Sequence, residues 1–261
     1  MSKIRNFFLD IDGTMLIRGK KQLTDDLITA LRYAQAKGCK IFVNTGRTKS
    51  FLPYSIAKLD CFDGFLCGCG TYIEHAGKVL SEYYVEKDEL IRLTDLFLSI
   101  MPNSNLVYEG KERMYYVGVP EPWFENEGLI PVGTSDYFKN VGFDVKIHKF
   151  STHGKDADQR KDTFFDAISD RFQTLRFPHY CESIPHGYDK GRAIELTEKA
   201  LGLDPSLSIA VGDSMNDAAM LKYAATSVAM GDATDEVKAL CDLVIGTAEN
   251  EGLTKFIYET V

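Results

Sequence analysis

Apolar and polar positions change texture along the chain. At the N-terminal end, IRNFFL (4–9) predicts a short buried strand, and Leu23, Leu27, Leu31 and Ala34 fall at the helical period over 24–37. Thr24 suits the N-cap of that helix. Asp25 and Asp26 suit the positive end of its dipole, and Gly38 supplies the left-handed residue that ends it. KIFVNTGR then carries a second apolar strand, and a third is expected at 63–67 after a helix of roughly ten residues. The same alternation returns at Lys190: a helix in GRAIELTEKALG, the strand LSIAVGD, a helix in NDAAMLKYA, the strand TSVAM, a helix near EVKALC and the strand DLVI. Strands and helices alternating at these lengths predict one α/β domain, a parallel sheet covered on both faces, built from both ends of the chain.

Between about residues 79 and 185 the alternation fades and aromatic residues become frequent, among them Tyr83, Tyr84, Tyr108, Tyr115, Tyr116, Trp123 and Phe124. YEGKERMYYVGVPEP reads as a hairpin and KDADQRKDTFFDAISDRF as a helix with a solvated charged face. FPHYCESIP is expected to lead back to the first domain. These features predict a smaller α+β domain at 79–185, inserted into a core formed by 1–78 and 186–261.

Composition narrows the class without naming a function. The hydrophobic fraction of 44% and charged fraction of 26% are those of an ordinary globular protein. A net charge of −8 disfavours a nucleic-acid partner and favours small ligands or metal cations. No apolar run approaches the ~20 residues that span a bilayer, so no membrane partner and a cytoplasmic location are expected. Six cysteines without a secretion signal suggest reduced thiols. Cys61, Cys67 and Cys69 lack the paired spacing of a zinc site and lie in an apolar stretch, where cysteine packs as a small hydrophobe.

The candidate chemistry gathers at strand ends. Asp10 and Asp12 follow FFL, Thr45 follows IFVN, and Asp213 follows SIAVG, each at the carboxyl end of a predicted parallel strand, where open α/β sheets bind ligands. Two carboxylates as close as Asp10 and Asp12 are unfavourable unless a cation or a shared proton relieves them. Other nucleotide and nucleophile motifs are missing: GCGTYI is not GxGxxG, there is no GxxxxGK[ST], GDSMN lacks the GxSxG elbow, and the five histidines lack metal-ligand spacing.

DIDGT (10–14), NTGR (44–47), DKG (189–191) and GDSMND (212–217) are similar, in order and spacing, to the four motifs of the haloacid dehalogenase superfamily. With its large insertion between the second and third motifs, the chain resembles the Cof-type phosphatases, whose core is Rossmann-like and whose cap is a C2-type α/β domain at that point. The resemblance implies a Mg²⁺-dependent phosphatase acting on a small phosphate ester, most plausibly a sugar phosphate, with the cap closing over the substrate. Asp10 would be the nucleophile that forms an aspartyl-phosphate, and Asp12 the general acid and base. Asp10, Asp213 and the main-chain carbonyl of Asp12 would hold Mg²⁺, with Asp217 at the same metal site orienting water or Lys190. Thr45, the Gly46 amide, Lys190 and Asn216 would hold phosphate oxygens, and Arg47 would touch the substrate or sit in an ion pair of the core. Gly13 would permit the tight turn and Thr14 brace it. Where the Cof pattern has Asn-Gly after the third strand, Cys69-Gly70 stands here, a departure that bears on substrate choice. Two alternatives remain open on the residues, a phosphomutase-like phosphotransferase and a catalytically silent metabolite-binding regulator. Oligomeric state is not readable.

Overall fold

A computed structural model describes residues 4–141, 145–154, 161–177 and 179–261. The chain separates into two compact units, one of Met1–Arg47, Leu52–Glu82 and Tyr188–Val261, the other of Thr48–Phe51 and Tyr83–Gly187. In chain order, the strands are β1 (Asn6–Leu9), β2 (Lys40–Asn44), β3 (Gly64–Cys67), β4 (Tyr72–His75), β5 (Lys78–Glu82), β6 (Asn105–Gly110), β7 (Met114–Gly118), β8 (Ile130–Pro131), β9 (Ile147–His153), β10 (Phe172–Arg176), β11 (Tyr180–Pro185), β12 (Ser208–Gly212), β13 (Thr226–Ala229) and β14 (Leu243–Val244).

Among the described residues the first unit holds an eight-stranded sheet of order β14-β13-β12-β1-β2-β3-β4-β5, parallel from β14 to β3. Successive residues of β1 face opposite sides: Phe7 and Leu9 join the apolar cluster that includes the helices Asp25–Ala36 and Gly252–Thr260, while Phe8 joins the one that includes Ala193, Ile194, Met220 and Val237. Both faces are covered, which is why β1, β2 and β12 read as uninterrupted apolar runs. Cys61 and Cys67 pack within the first cluster, and all six cysteines are free thiols.

Two details differ from the expectations, and a third fills one in. The segment before β3 forms a 3-10 turn at Lys49–Phe51 and a four-residue helix at Tyr54–Ala57 in place of one ten-residue helix, because Pro53 interrupts it and starts the second piece as its N-cap. β4 and β5 add an antiparallel hairpin beyond β3, turning at Ala76 and Gly77, both with positive φ (48° and 75°). FPHYCESIP contributes the last strand of the insertion, β11, which pairs with both β9 and β10 and ends at Pro185, just before the chain returns to the first unit at Tyr188.

Among the described residues the second unit holds a six-stranded sheet of order β10-β11-β9-β6-β7-β8, antiparallel except between β7 and β8. The expected hairpin is β6–β7. The helices Lys87–Ile100 and Lys161–Ile168 bury Leu90, Leu93, Phe97, Phe164, Phe165 and Ile168 with Leu106, Tyr108, Tyr115 and Phe150 of the strands. Several of the insertion's aromatic residues thus serve its core. The first six residues of the expected charged helix, 155–160, lie outside the described residues.

Candidate active site

The β1 strand ends at Leu9, and the Asp10 amide still donates to the Val211 carbonyl of β12 at 3.1 Å. The chain then curls: Thr14 N donates to Ile11 O, Gly13 N to Leu16 O, and Asp12 bridges to Leu16. Gly13 adopts φ +83°, and a Cβ there would collide with the Asp213 carboxylate. The curl sends the two carboxylates to different surroundings. Asp10 is buried, whereas the Asp12 side chain is 53% exposed.

Each carboxylate has its own cation. Lys190, first residue of the helix Lys190–Leu201, has a fully buried side chain whose Nζ donates to Asp10 Oδ1 at 2.6 Å and to Asp217 Oδ1 at 2.5 Å. Asp189 caps that helix by accepting from the Arg192 amide at 2.7 Å. Arg47 grips Asp12 in a fork, Nε to Oδ2 and Nη2 to Oδ1, both at 2.8 Å. Of the two positions expected for Arg47, the structure shows the ion pair.

GDSMND folds as a tight acidic turn after β12. Ser214 and Asp217 form a capping box over the 3-10 turn Met215–Asp217, and Asp217 Oδ2 accepts from the amides of Asp213 (3.0 Å) and Ser214 (3.1 Å). This needs Gly212, where a Cβ would lie 2.6 Å from the Asp217 carboxylate. Gly212→Ala should therefore displace Asp217 and cost about 1–3 kcal/mol, read as a lower urea midpoint. Asn216 lies in the same turn and takes the Ser214 hydroxyl on Oδ1 at 2.7 Å.

Asp10, Asp213 and Asp217 each offer a carboxylate oxygen within 4.8 Å of the others, a group that could hold a metal ion. The Asp12 carboxylate is not in that group. Asp213 Oδ1 is buried without a hydrogen-bond partner, and Oδ2 is met by the Arg18 guanidinium. Negative charge is in excess. Burial pushes Asp10 up to about 8 against the pull of Lys190, with Asp217 and Asp213 adding to the rise. Burial and then Asp217 push Asp213 up to about 6, opposed by Arg18 and Lys190. For Lys190, burial opposes the charge, but Asp10 and Asp217 outweigh it and raise the ammonium above its ordinary range. A hard divalent cation suits this set of oxygens and the unmatched oxygen of Asp213.

Thr45 is buried at the end of β2, where its Oγ1 accepts from the Arg47 amide at 3.1 Å. Its carbonyl accepts from the Cys69 amide at 3.1 Å, tying the NTGR loop to the Gly68–Gly70 turn, in which Cys69 takes φ +55°. Gly46 is half-buried between Thr45 and Arg47. Asp10, Asp213, Asp217 and Lys190 are thus brought together, and Asp12 and Arg47 form a neighbouring pair on the same loops. Arg18 is the residue that the motifs did not reveal; a lone arginine eight positions after Asp10 carries no pattern.

The sequence profile of haloacid dehalogenase-like hydrolases matches residues 7–257. The chain is 25% identical to a 5-amino-6-(5-phospho-D-ribitylamino)uracil phosphatase of Bacillus subtilis, YcsE, covering 97% of this chain and 94% of that protein. It is 27% identical to a pyridoxal phosphate phosphatase of Escherichia coli, YbhA, covering 96% of each. Among solved structures, the subclass IIB sugar phosphatase BT4131 superposes with a TM-score of 0.81 over 98% of both chains at 22% identity, a likeness of fold. With its doubly covered parallel sheet, its second sheet inserted in sequence, and its aspartates grouped at the strand ends, the chain belongs to the haloacid dehalogenase-like hydrolases.

Proposed function

We propose that this hydrolase is a Mg²⁺-dependent phosphatase that releases phosphate from a small phosphorylated metabolite, a sugar phosphate in particular, through an aspartyl-phosphate on Asp10. The observation that carries the reading is the buried Lys190 ammonium held between Asp10 and Asp217, beside an unmatched oxygen of Asp213. A buried cation at a carboxylate that must approach an anion serves phosphoryl transfer, where neutralising oxygen charge does most of the work.

Asp10 attacks phosphorus, forming an Oδ–P bond as the ester P–O bond breaks, and Asp12 gives its proton to the departing alkoxide. Asp12 then takes a proton from water, whose oxygen displaces Asp10 and frees phosphate. The Arg47 fork orients Asp12 in its ionised form, the form that takes the proton from water in the second step, and opens when Asp12 carries the proton for the leaving group. Lys190, Thr45 and the Gly46 amide contact phosphoryl oxygens, and Asn216 borders them. Asp10, Asp213 and the Asp12 carbonyl would hold Mg²⁺. We assign Asp217 to orienting Lys190 and the 213–214 amides, since both its oxygens already accept hydrogen bonds. When bound, Mg²⁺ supplies the positive charge that lets a carboxylate approach a phosphoryl group. The inserted unit, near 79–185, takes the role of the family's cap and supplies selectivity. Six free thiols suit a reducing cytoplasm.

The names of YcsE and YbhA give two substrates that share a phosphate ester and differ in the rest. A phosphate-release screen over sugar phosphates, nucleotides and cofactor phosphates with Mg²⁺ should find turnover without an added acceptor. Transfer only in the presence of a bisphosphate activator would indicate a phosphotransferase, and silence across the panel would overturn the enzymatic reading. Asp12→Asn separates the two steps. Alkyl phosphates, which need their leaving group protonated, should lose about 10²–10⁴-fold. Nitrophenyl phosphate should still give a burst of one nitrophenolate per site, seen by rapid mixing.

A further inference from the structure

We propose that Asn44 is a positioning residue that fixes the first turn of the helix Lys190–Leu201, and with it the Lys190 ammonium; this rests on the phosphatase reading above. Asn44 is the last residue of β2 and is fully buried. Its Nδ2 donates to the main-chain carbonyl of Lys190 at 2.9 Å and to Met220 Sδ at 3.4 Å, while its Oδ1 is buried with no hydrogen-bond partner.

An amide satisfied at one end only is a costly occupant for this position, since unmet polar groups are penalised when buried. Its neighbour Met220 belongs to an apolar cluster with Phe42, Leu66 and Ala193, into which leucine would fit chemically. Nor does the helix need the bond. As a helical residue, Lys190 presents its carbonyl to the amide four positions on, so the Asn44 contact satisfies no orphan acceptor. What the bond does is join the strand end that carries Thr45 to the residue that carries the ammonium.

Lys190 must meet Asp10 at 2.6 Å and Asp217 at 2.5 Å simultaneously, so a small shift of its backbone breaks one contact or the other. The same turn is already closed at the next residue. A Cβ on Gly191 would lie 2.5 Å from the Ala219 carbonyl, so the turn is pressed against the segment that follows Asp217. Asn44 tethers it on the β2 side. One residue thereby sets the spacing between Thr45 and Lys190, the two groups assigned to phosphoryl oxygens.

The test uses the full chain with Asn44→Leu, Asn44→Ser and Met220→Leu. Read for each are kcat and KM on the best substrate of the screen, inhibition by orthovanadate and inorganic phosphate, calorimetric vanadate binding, and the thermal midpoint. Asn44→Leu should keep or raise the midpoint while kcat falls about 10–100-fold and both anions bind correspondingly more weakly. Asn44→Ser should fall between, its hydroxyl reaching the Lys190 carbonyl through a water. Met220→Leu, which removes only the sulfur contact, should keep wild-type kinetics and anion affinity. The inference is overturned if Asn44→Leu binds vanadate and turns over like wild type, or if its losses track its midpoint and are matched by Met220→Leu. Wild-type protein that turns over nothing but binds vanadate would sink the phosphatase reading alone, and the calorimetric comparison would still decide Asn44; failure to bind vanadate as well would overturn both.

Discussion

Asp10→Asn should abolish steady-state turnover of every substrate, by at least about 10⁴-fold, while the protein remains folded. An amide is nearly isosteric with the carboxylate but is a poor nucleophile toward phosphorus, so no covalent intermediate can form. The second half of this expectation has a defined pH dependence in metal-free protein. The folded-state pKa of Asp10 is raised, to about 8, so folded protein holds a proton there that unfolded protein has released at pH values above the ordinary carboxylate range. Stability from this group is present at low pH and is lost as pH rises toward about 8. Asparagine removes that loss. In EDTA, the variant should therefore be the more stable protein near pH 8, with the two melting curves converging toward pH 4. Equal slopes across that window would show that Asp10 does not bear the buried charge described, and surviving turnover would remove it as nucleophile.

Lys190→Met should damage stability as well as catalysis. Methionine matches the length and apolar stem of lysine but leaves the Asp10 and Asp217 carboxylates facing each other in the interior without their ammonium. Removing one partner of a buried pair costs about 3–5 kcal/mol, a large share of the roughly 5–15 kcal/mol that holds a typical domain folded. Acid should recover part of the loss, because a proton on Asp10 does electrostatically what the ammonium did. Loss of one charge at the phosphoryl oxygens should lower kcat/KM by about 10²–10³-fold even where the variant is folded. Urea unfolding in EDTA at two pH values, with kinetics in Mg²⁺, reads both. A variant as stable and active as wild type would mean that Lys190 belongs to packing alone. Arginine should not restore function, since its planar fork does not fit a site closed around a point charge.

Much of the core was legible because its signals are local. Continuous apolar runs mark strands buried on both faces, and Thr24, Asp25 and Gly38 punctuate the first helix as capping chemistry requires. The expected positions of Asp10, Asp213 and Lys190 followed from strand ends and motif order. Two kinds of information were not local. The β4–β5 hairpin depends on Ala76 and Gly77 both turning left-handed, a signal weaker than Asn-Gly, and β11 gave no distinct strand signal because its alternation in YCESIP is short and closes on proline. At the site, the contacts made by Arg18 and Asn44 depend on side chains from elements more than a hundred residues apart, so no spacing in the sequence marks them.

The strand order has a consequence for biogenesis. β1, the first strand to be synthesised, lies between β2 and β12, and β12 begins only at Ser208. A nascent chain that has emerged as far as Gly187 can close the mainly antiparallel sheet of the insertion, yet still presents β1 with one edge unpaired and Asp10 with neither Lys190 nor Asp217. Assembly of the first unit must then await the last quarter of translation, a closure between segments about two hundred residues apart that is slow on entropic grounds. Ribosome-stalled chains ending before β12 should accordingly resist protease within the insertion while being cut freely in the N-terminal segment that carries Asp10.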